Sequence, residues 1–420
     1  MRRIYISFLG ADDYPPAVYH IENKQADRSQ YVQFAELQLT GVDYFDKIFL
    51  VMTKTSKEKH YDLLKQELSK LGIHEIYEIN ITEELAPENH WGWFEEILMH
   101  IDHDDELTVD LTHGFRIIPI VFSTALNFLQ KAKNIQIRAV YYGAYESNKE
   151  LSPIVDVKDF YIINEWADAV SRLVEDADPG KLGKVAQKEK SSNINEFDDP
   201  DLVNAFADLT EALKNVDIHN IAQKASNALD IVNKKEINAS VTGQILLGLV
   251  KDKFVSLVSE KTFTGRYDHD YFKLQLEIVH LLLDHKLFMQ AYTVMREMLG
   301  SFGLIRMKTK ANIQNKHGRK QRKKAEIFVR MLQLDEKDWV FSGDDLIIML
   351  KLEQLYKDME HCGIIESLNN LSKELVKYRN GFDHAWTNKA KAEADIEKTG
   401  HKFYKHLHLV VNSLNEKIFF

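Results

Sequence analysis

From residue 1 to about 145, short β-rich apolar runs alternate with longer stretches whose apolar positions recur at helical spacing. Ile4–Leu9, Lys47–Thr53, Glu75–Asn80, Leu107–Leu111 and Ile135–Tyr141 each read as a strand bounded by polar or turn residues. Between them, Tyr31–Leu39, Ser56–Leu71, Glu88–Ile101 and Gly114–Lys131 predict helices. Strands that are apolar almost throughout are buried on both faces. The alternation therefore predicts a mostly parallel sheet covered on both sides, a Rossmann-like α/β domain. The ligand of such a domain lies beyond the carboxyl ends of its strands.

The pattern then changes. A helix around Tyr161–Val174 leads into residues 176–201, rich in Gly, Pro, Ser and charge, which read as a linker or hinge. From Leu202 the periodicity is helical, as in Phe272–Leu283, Phe288–Leu299, Asp345–Met359 and Glu366–Trp386. No repeat of 20–50 residues stands out. The expected organisation is an α/β domain over 1–175, a linker over 176–201 and an all-α domain over 202–420.

Composition narrows the class. With 45% hydrophobic and 28% charged residues among 420, the chain is globular rather than disordered, and 7 prolines suit long helices. The single cysteine, Cys362, excludes an internal disulfide framework and a thiolate zinc site, and fits the cytoplasm. The longest apolar stretch, Ile117–Leu129, includes Ser123, Thr124 and Asn127 and is too short to span a bilayer, so no membrane partner is expected. The apolar run after Arg2 and Arg3 ends at Asp12 and is too short for a signal peptide.

The formal charge of −10 gives no global attraction for nucleic acid, so any such contact is local. Residues 306–324 hold nine Lys or Arg and no acid, leaving −19 on the rest. This segment reads either as a solvated charged face or as a phosphate-attracting patch. In the second reading Arg319, Lys320, Arg322, Lys323 and Lys324 guide RNA.

Two strand-end loops carry candidate chemistry. FLGADDY places Gly10 where the backbone can turn sharply or approach a ligand, followed by Ala11, Asp12 and Asp13. DLTHGFR supplies Thr112, His113, Gly114, Phe115 and Arg116 at a predicted helix start, where free N–H groups and a guanidinium favour phosphate. Neither loop is a dinucleotide fingerprint or a P-loop. Thr112 also reads as a helix cap and His113 as a surface turn residue. The two aspartates oppose a polyanion unless they meet ribose hydroxyls or an adenine amino group.

The late helix ELVKYRNGFDHAW buries a stripe of Leu368, Leu371, Leu375, Tyr378 and Phe382. At roughly 100° per residue, Arg379, Asn380, Asp383 and His384 fall on the opposite arc. One reading is a solvated helix back with an Asn380–His384 pair. The other is RNA cleavage without metal: His384 moves a proton near neutral pH, Arg379 stabilises the phosphorane, and Asn380 holds the phosphate or orients His384. His100, His103 and Asp104, and likewise His401, His406 and His408, lack a third strong ligand at a recognisable spacing, so no metal is assigned.

With DLTHGFR after a strand and RNGFDH on a late helix, the chain resembles the CARF–HEPN ribonucleases of type III CRISPR systems across both halves. The resemblance implies a homodimer whose CARF domains bind a cyclic oligoadenylate, tetra-adenylate in preference to hexa-adenylate. That activator, with no other cofactor, switches on cleavage of single-stranded RNA by paired HEPN sites. Arg379 and His384 match the catalytic pair, with Asn380 beside them, and Gly10–Asp13 and Thr112–Arg116 match the activator loops. Thr112 or His113 is where slow cleavage of the activator itself would occur. The acidic Asp12–Asp13 pair departs from the neutral loop usual in the family, and the basic segment has no family role. Two other classes compete. A sensor that binds nucleic acid without chemistry is disfavoured by Arg379 and His384, and an ungated HEPN toxin by the strand-end loops.

Overall fold

The computed structural model describes residues 1–84, 87–114, 118–145, 150–188, 196–258, 267–307, 316–383 and 395–414. These form two compact units that divide after Trp166, and each is taken by itself.

The first unit is built on an eight-stranded sheet. Its strands are β1 (Arg3–Leu9), β2 (Val18–Ile21), β3 (Lys24–Gln25), β4 (Lys47–Met52), β5 (Tyr77–Asn80), β6 (Glu106–Asp110), β7 (Gln136–Gly143) and β8 (Leu151–Asp156), in the order β3-β2-β8-β7-β6-β1-β4-β5. The central five run parallel, with β1 flanked by β4 in the register Ile4↔Lys47 and by β6 in the register Ile4↔Leu107. Their crossovers are α1 (Val32–Thr40), α2 and α3 (Lys54–Ser56 and Asp62–Lys70, joined by a π-helical turn, Lys57–Tyr61), α4 (Pro87–His100) and α5 (Ile118–Ala132).

Strand alternation explains why both faces are covered. Ile4, Ile6 and Phe8 of β1 enter one core with Trp93 and Ile97 of α4 and Phe122 and Leu126 of α5. Tyr5 and Leu9 point the other way, onto Phe34 and Leu37 of α1 and Leu64 and Leu68 of α3. Ser7, on this second face, is also buried.

The Rossmann-like fold and its five predicted strands are present, and β2, β3 and β8 are additions. β8 pairs antiparallel with β7 and parallel with β2, so the sheet is mixed on that side. Pro153 lies within β8, where proline removes a ladder donor. The strand tolerates it: the Pro153 carbonyl still accepts the Ala144 N–H at 2.8 Å.

The second unit is helical. The division falls inside α6 (Asp159–Asp176), and the stretch read as a linker contains a helix, α7 (Gly180–Lys188). Its Leu182 and Val185 are buried, and Lys181 pairs with Asp168 of α6. Two apolar positions three apart give one helical face enough to dock, which the polar composition obscured. There follow α8 (Pro200–Lys214), α9 (Ile218–Glu236), α10 (Val241–Phe254), α11 (His269–Asp284), α12 (Phe288–Phe302), α13 (Lys316–Gln333), α14 (Asp344–His361), α15 (Ile364–Asp383) and α16 (Ile396–Ser413). Side-chain caps set several starts: Asp199 accepts from Asp201 N, Asp268 from Tyr271 N and Asp395 from Lys398 N.

The stripe predicted on α15 is the face that docks. Leu368, Leu371, Leu375 and Tyr378 are buried. Tyr292 of α12 lies between the helices, with its ring 5.2 Å from Tyr378, 5.4 Å from Phe382 and 5.8 Å from Phe403 of α16. Among the described residues no helix is long and apolar enough to cross a membrane.

Candidate functional site

In the parallel order β5-β4-β1-β6-β7 the chain leaves β1 toward β4 on one side and later returns to β6 on the other. The switch point therefore lies between β1 and β6, and in open α/β sheets the ligand crevice lies beyond the carboxyl ends at such a point. The loops that meet there are the two singled out in the sequence. Gly10 approaches Gly114 so closely that a Cβ would stand 3.1 Å from Gly114 N and 2.9 Å from the Tyr14 hydroxyl. Gly114 itself has φ +114, a conformation open to glycine at little cost.

A buried polar pedestal holds these loops. Ser7 donates to Asp110 Oδ2 at 2.6 Å, while Asp110 Oδ1 accepts the Thr112 N–H at 2.8 Å and its hydroxyl at 2.5 Å. Thr112 Oγ1 in turn accepts the Gly143 N–H at 2.8 Å, tying the loop after β6 to the end of β7. Thr112 is thus occupied as a bridge. Beside this, Tyr5 donates to Glu36 Oε2 at 2.6 Å, and both are buried. Burial, then the Asp110 charge, pushes the Glu36 carboxyl well up. Burial outweighs the hydrogen bonds from Ser7 and Thr112 and raises Asp110 to about 6.

That shift predicts a pH dependence. Between 3.8 and about 6 the folded state holds a proton on Asp110 that the unfolded chain has released. Stability then falls as pH rises through this window, by about 3 kcal/mol. Asp110→Asn keeps an oxygen for Thr112 and turns an amide toward Ser7. The stability of the variant relative to wild type should therefore rise between pH 4 and 6 in urea titrations. A parallel pair of curves would refute the assignment.

The wall of the crevice comes from residues that the sequence pattern did not single out. The π-helical turn brings Lys59 and His60 to the first loop, and π-turns often mark functional sites. Lys59 Nζ donates to the Ala11 carbonyl at 2.9 Å and pairs with Asp13 at 2.8 Å. His60 Nε2 donates to the Asp12 carbonyl at 2.8 Å, leaving Nδ1 to accept from the Tyr31 hydroxyl at 3.3 Å. The Tyr14 ring lies between two imidazoles, 4.5 Å from His60 and 4.1 Å from His113. Burial pushes the His113 imidazole down to about 4 and lowers that of His60, so both are neutral near pH 7. Among the described residues His113 Nε2 is buried with no hydrogen-bond partner. One sequence signal was available: Ser56 and His60 stand four residues apart, in phase with Leu64 and Leu68. Phe115 and Arg116 lie outside the described residues.

In the helical unit, Asn380 is exposed near the end of α15, on the side away from the docked stripe. The Arg379 and Asp383 side chains and all of His384 lie outside the described residues. In the basic segment Arg322 pairs with Glu297, and Lys323 with Asp345 at 2.5 Å, so part of its charge already faces acids. Lys324 is half-buried, and the Arg319 and Lys320 side chains are outside the described residues.

No protein-family model matches the chain. A Rossmann-like sheet with a topological switch point is followed in one chain by an all-helical unit, and the chain has a CRISPR-associated sequence relative. In particular, the chain is similar to CRISPR-associated protein MJ1674 of Methanocaldococcus jannaschii, with 20% identity over 203 residues, 47% of this chain. The match spans 29% of that relative's length. It is also similar to Csm6 of Enterococcus italicus, in a structure bound to cyclic hexa-2′-fluoro-hexa-dAMP. There the alignment covers 100% of this chain and 97% of the other, at 9% identity and a TM-score of 0.49.

Proposed function

We propose that the protein is an endoribonuclease that cleaves single-stranded RNA when a cyclic oligoadenylate, tetra-adenylate by the sequence reading, occupies the crevice of a homodimer. The observation that carries this reading is the convergence of the Gly10 and Gly114 loops at the switch point, where backbone can approach a ligand on a rigid pedestal. Phosphate is served by Lys59 and by Arg116. Lys59 also offsets Asp13, which softens the objection raised by the acidic loop. A cyclic activator of even ring size has two-fold symmetry available, which matches a dimer of identical crevices.

The chemistry falls to Arg379, Asn380 and His384. His384 accepts the 2′-hydroxyl proton or returns one to the leaving oxygen, Arg379 faces the growing negative charge, and Asn380 holds the phosphate. The products then carry 2′,3′-cyclic phosphate ends, and EDTA leaves the rate unchanged. Calorimetric titration with cyclic tetra- and hexa-adenylate tests the sensor half. Saturable binding is expected, with Arg116→Ala weakening it about tenfold, the worth of one charge-assisted contact. No binding of any cyclic oligoadenylate would end this reading.

The basic segment fits as an RNA guide. Neutralising Arg319, Lys320, Arg322, Lys323 and Lys324 together should raise KM for RNA and flatten its salt dependence, with turnover at saturation little changed. An unaltered salt slope would leave the segment a solvated face whose charges serve Glu297 and Asp345.

A further inference from the structure

Tyr14 is the single inward-turned residue of an exposed stretch: Ala11, Asp12, Asp13, Pro15 and Pro16 are all exposed, and it alone is half-buried. Its ring fills a slot one aromatic ring thick between His60 and His113, at centroid distances of 4.5 and 4.1 Å with tilts of 29° and 33°. A nucleobase stacked between two imidazoles would need the same separation. The stretch is latched by three contacts, all from one helical turn: Lys59 to the Ala11 carbonyl, Lys59 to Asp13, and His60 to the Asp12 carbonyl. His113 Nε2, buried at the edge of the slot with no partner among the described residues, is a ring nitrogen that an adenine amino group could satisfy.

We propose that Tyr14 is a tethered plug, occupying between His60 and His113 the slot that an adenine of the activator takes, so that activator binding requires its ring to swing out. The proposal rests on the activator reading above and deepens it, assigning His60 and His113 as the jaws that select a planar base. Lys59 is released by the same movement, because a phosphate competes with Asp13 for its ammonium group. Neutral imidazoles suit the jaws, since stacking on a base then carries no cost of burying charge.

Two measurements on the full chain test it. In the first, adenosine 5′-monophosphate is titrated into wild type, Tyr14→Phe, Tyr14→Ala and Tyr14→Ala/His60→Ala. Tyr14→Ala should bind at least about tenfold more tightly than wild type, Tyr14→Phe should match wild type, and the double variant should lose the gain, as stacking energies imply. Weaker binding by Tyr14→Ala would make Tyr14 a platform and overturn the plug. In the second, needed should Tyr14→Ala fold poorly, the chain is labelled with 3-fluorotyrosine and the Tyr14 line is identified by its loss in Tyr14→Phe. Added cyclic tetra-adenylate should open that line to a soluble paramagnetic quencher. A line still shielded at saturation overturns the proposal while leaving the activator reading intact. A gain for the mononucleotide with no binding of any cyclic oligoadenylate upholds the slot and ends the activator reading.

Discussion

His384→Ala is expected to abolish RNA cleavage, lowering the activator-stimulated rate by about 10²–10⁴-fold, the usual worth of a positioned general acid–base. Arg379→Ala should do the same through lost stabilisation of the phosphorane. By helical spacing in the sequence both positions fall away from the stripe of Leu368, Leu371, Leu375 and Tyr378, whose side chains are buried. Their replacement should therefore open no cavity, and the melting temperature and activator affinity should stay near wild type. Cleavage at the wild-type rate by either variant would remove that residue from the chemistry.

Thr112→Val should have the largest effect on stability. The substitution preserves shape but deletes a hydroxyl that donates to Asp110 and accepts from Gly143 N–H. A buried carboxylate loses a donor and a backbone donor loses its acceptor, at a cost of about 2–4 kcal/mol. The melting temperature should drop by several degrees, and the loop after β6 should lose its fixed position, weakening activator binding as well. Thr112→Ser, which keeps both bonds, should recover most of the loss. A Thr112→Val protein as stable as wild type would show that the pedestal is not what holds the loop.

Much of the first unit was legible because its strands are long, apolar and separated by periodic helices, and the loops after β1 and β6 could be placed from that alone. The strands β2 and β3 and the proline-bearing β8 were not, since VYHI and KQ hold polar residues in very short runs and Pro153 counts against a strand. The crevice wall was missed for a different reason. Lys59 and His60 lie in a run of charge, KEKHY, that reads as a solvated helix back, and only the π-turn brings them onto the Gly10–Asp13 loop. Tyr14 looked like an ordinary loop residue, because its partners His60 and His113 come from distant parts of the chain. Thr112 reads as a cap or a ligand contact, and its hydroxyl also bridges Asp110 and Gly143. Pairing across a sheet cannot be read from local spacing.

On the function proposed above, a ligand at the strand ends of the first unit switches on RNA cleavage in the second. A fluorogenic single-stranded RNA assay, run with each cyclic oligoadenylate in turn and without any, with EDTA throughout and His384→Ala alongside, tests this directly. The account predicts little cleavage alone, strong cleavage with cyclic tetra-adenylate, and none by the variant under any condition. Cleavage at full rate without a cyclic oligoadenylate, or none with every ring size, would contradict it.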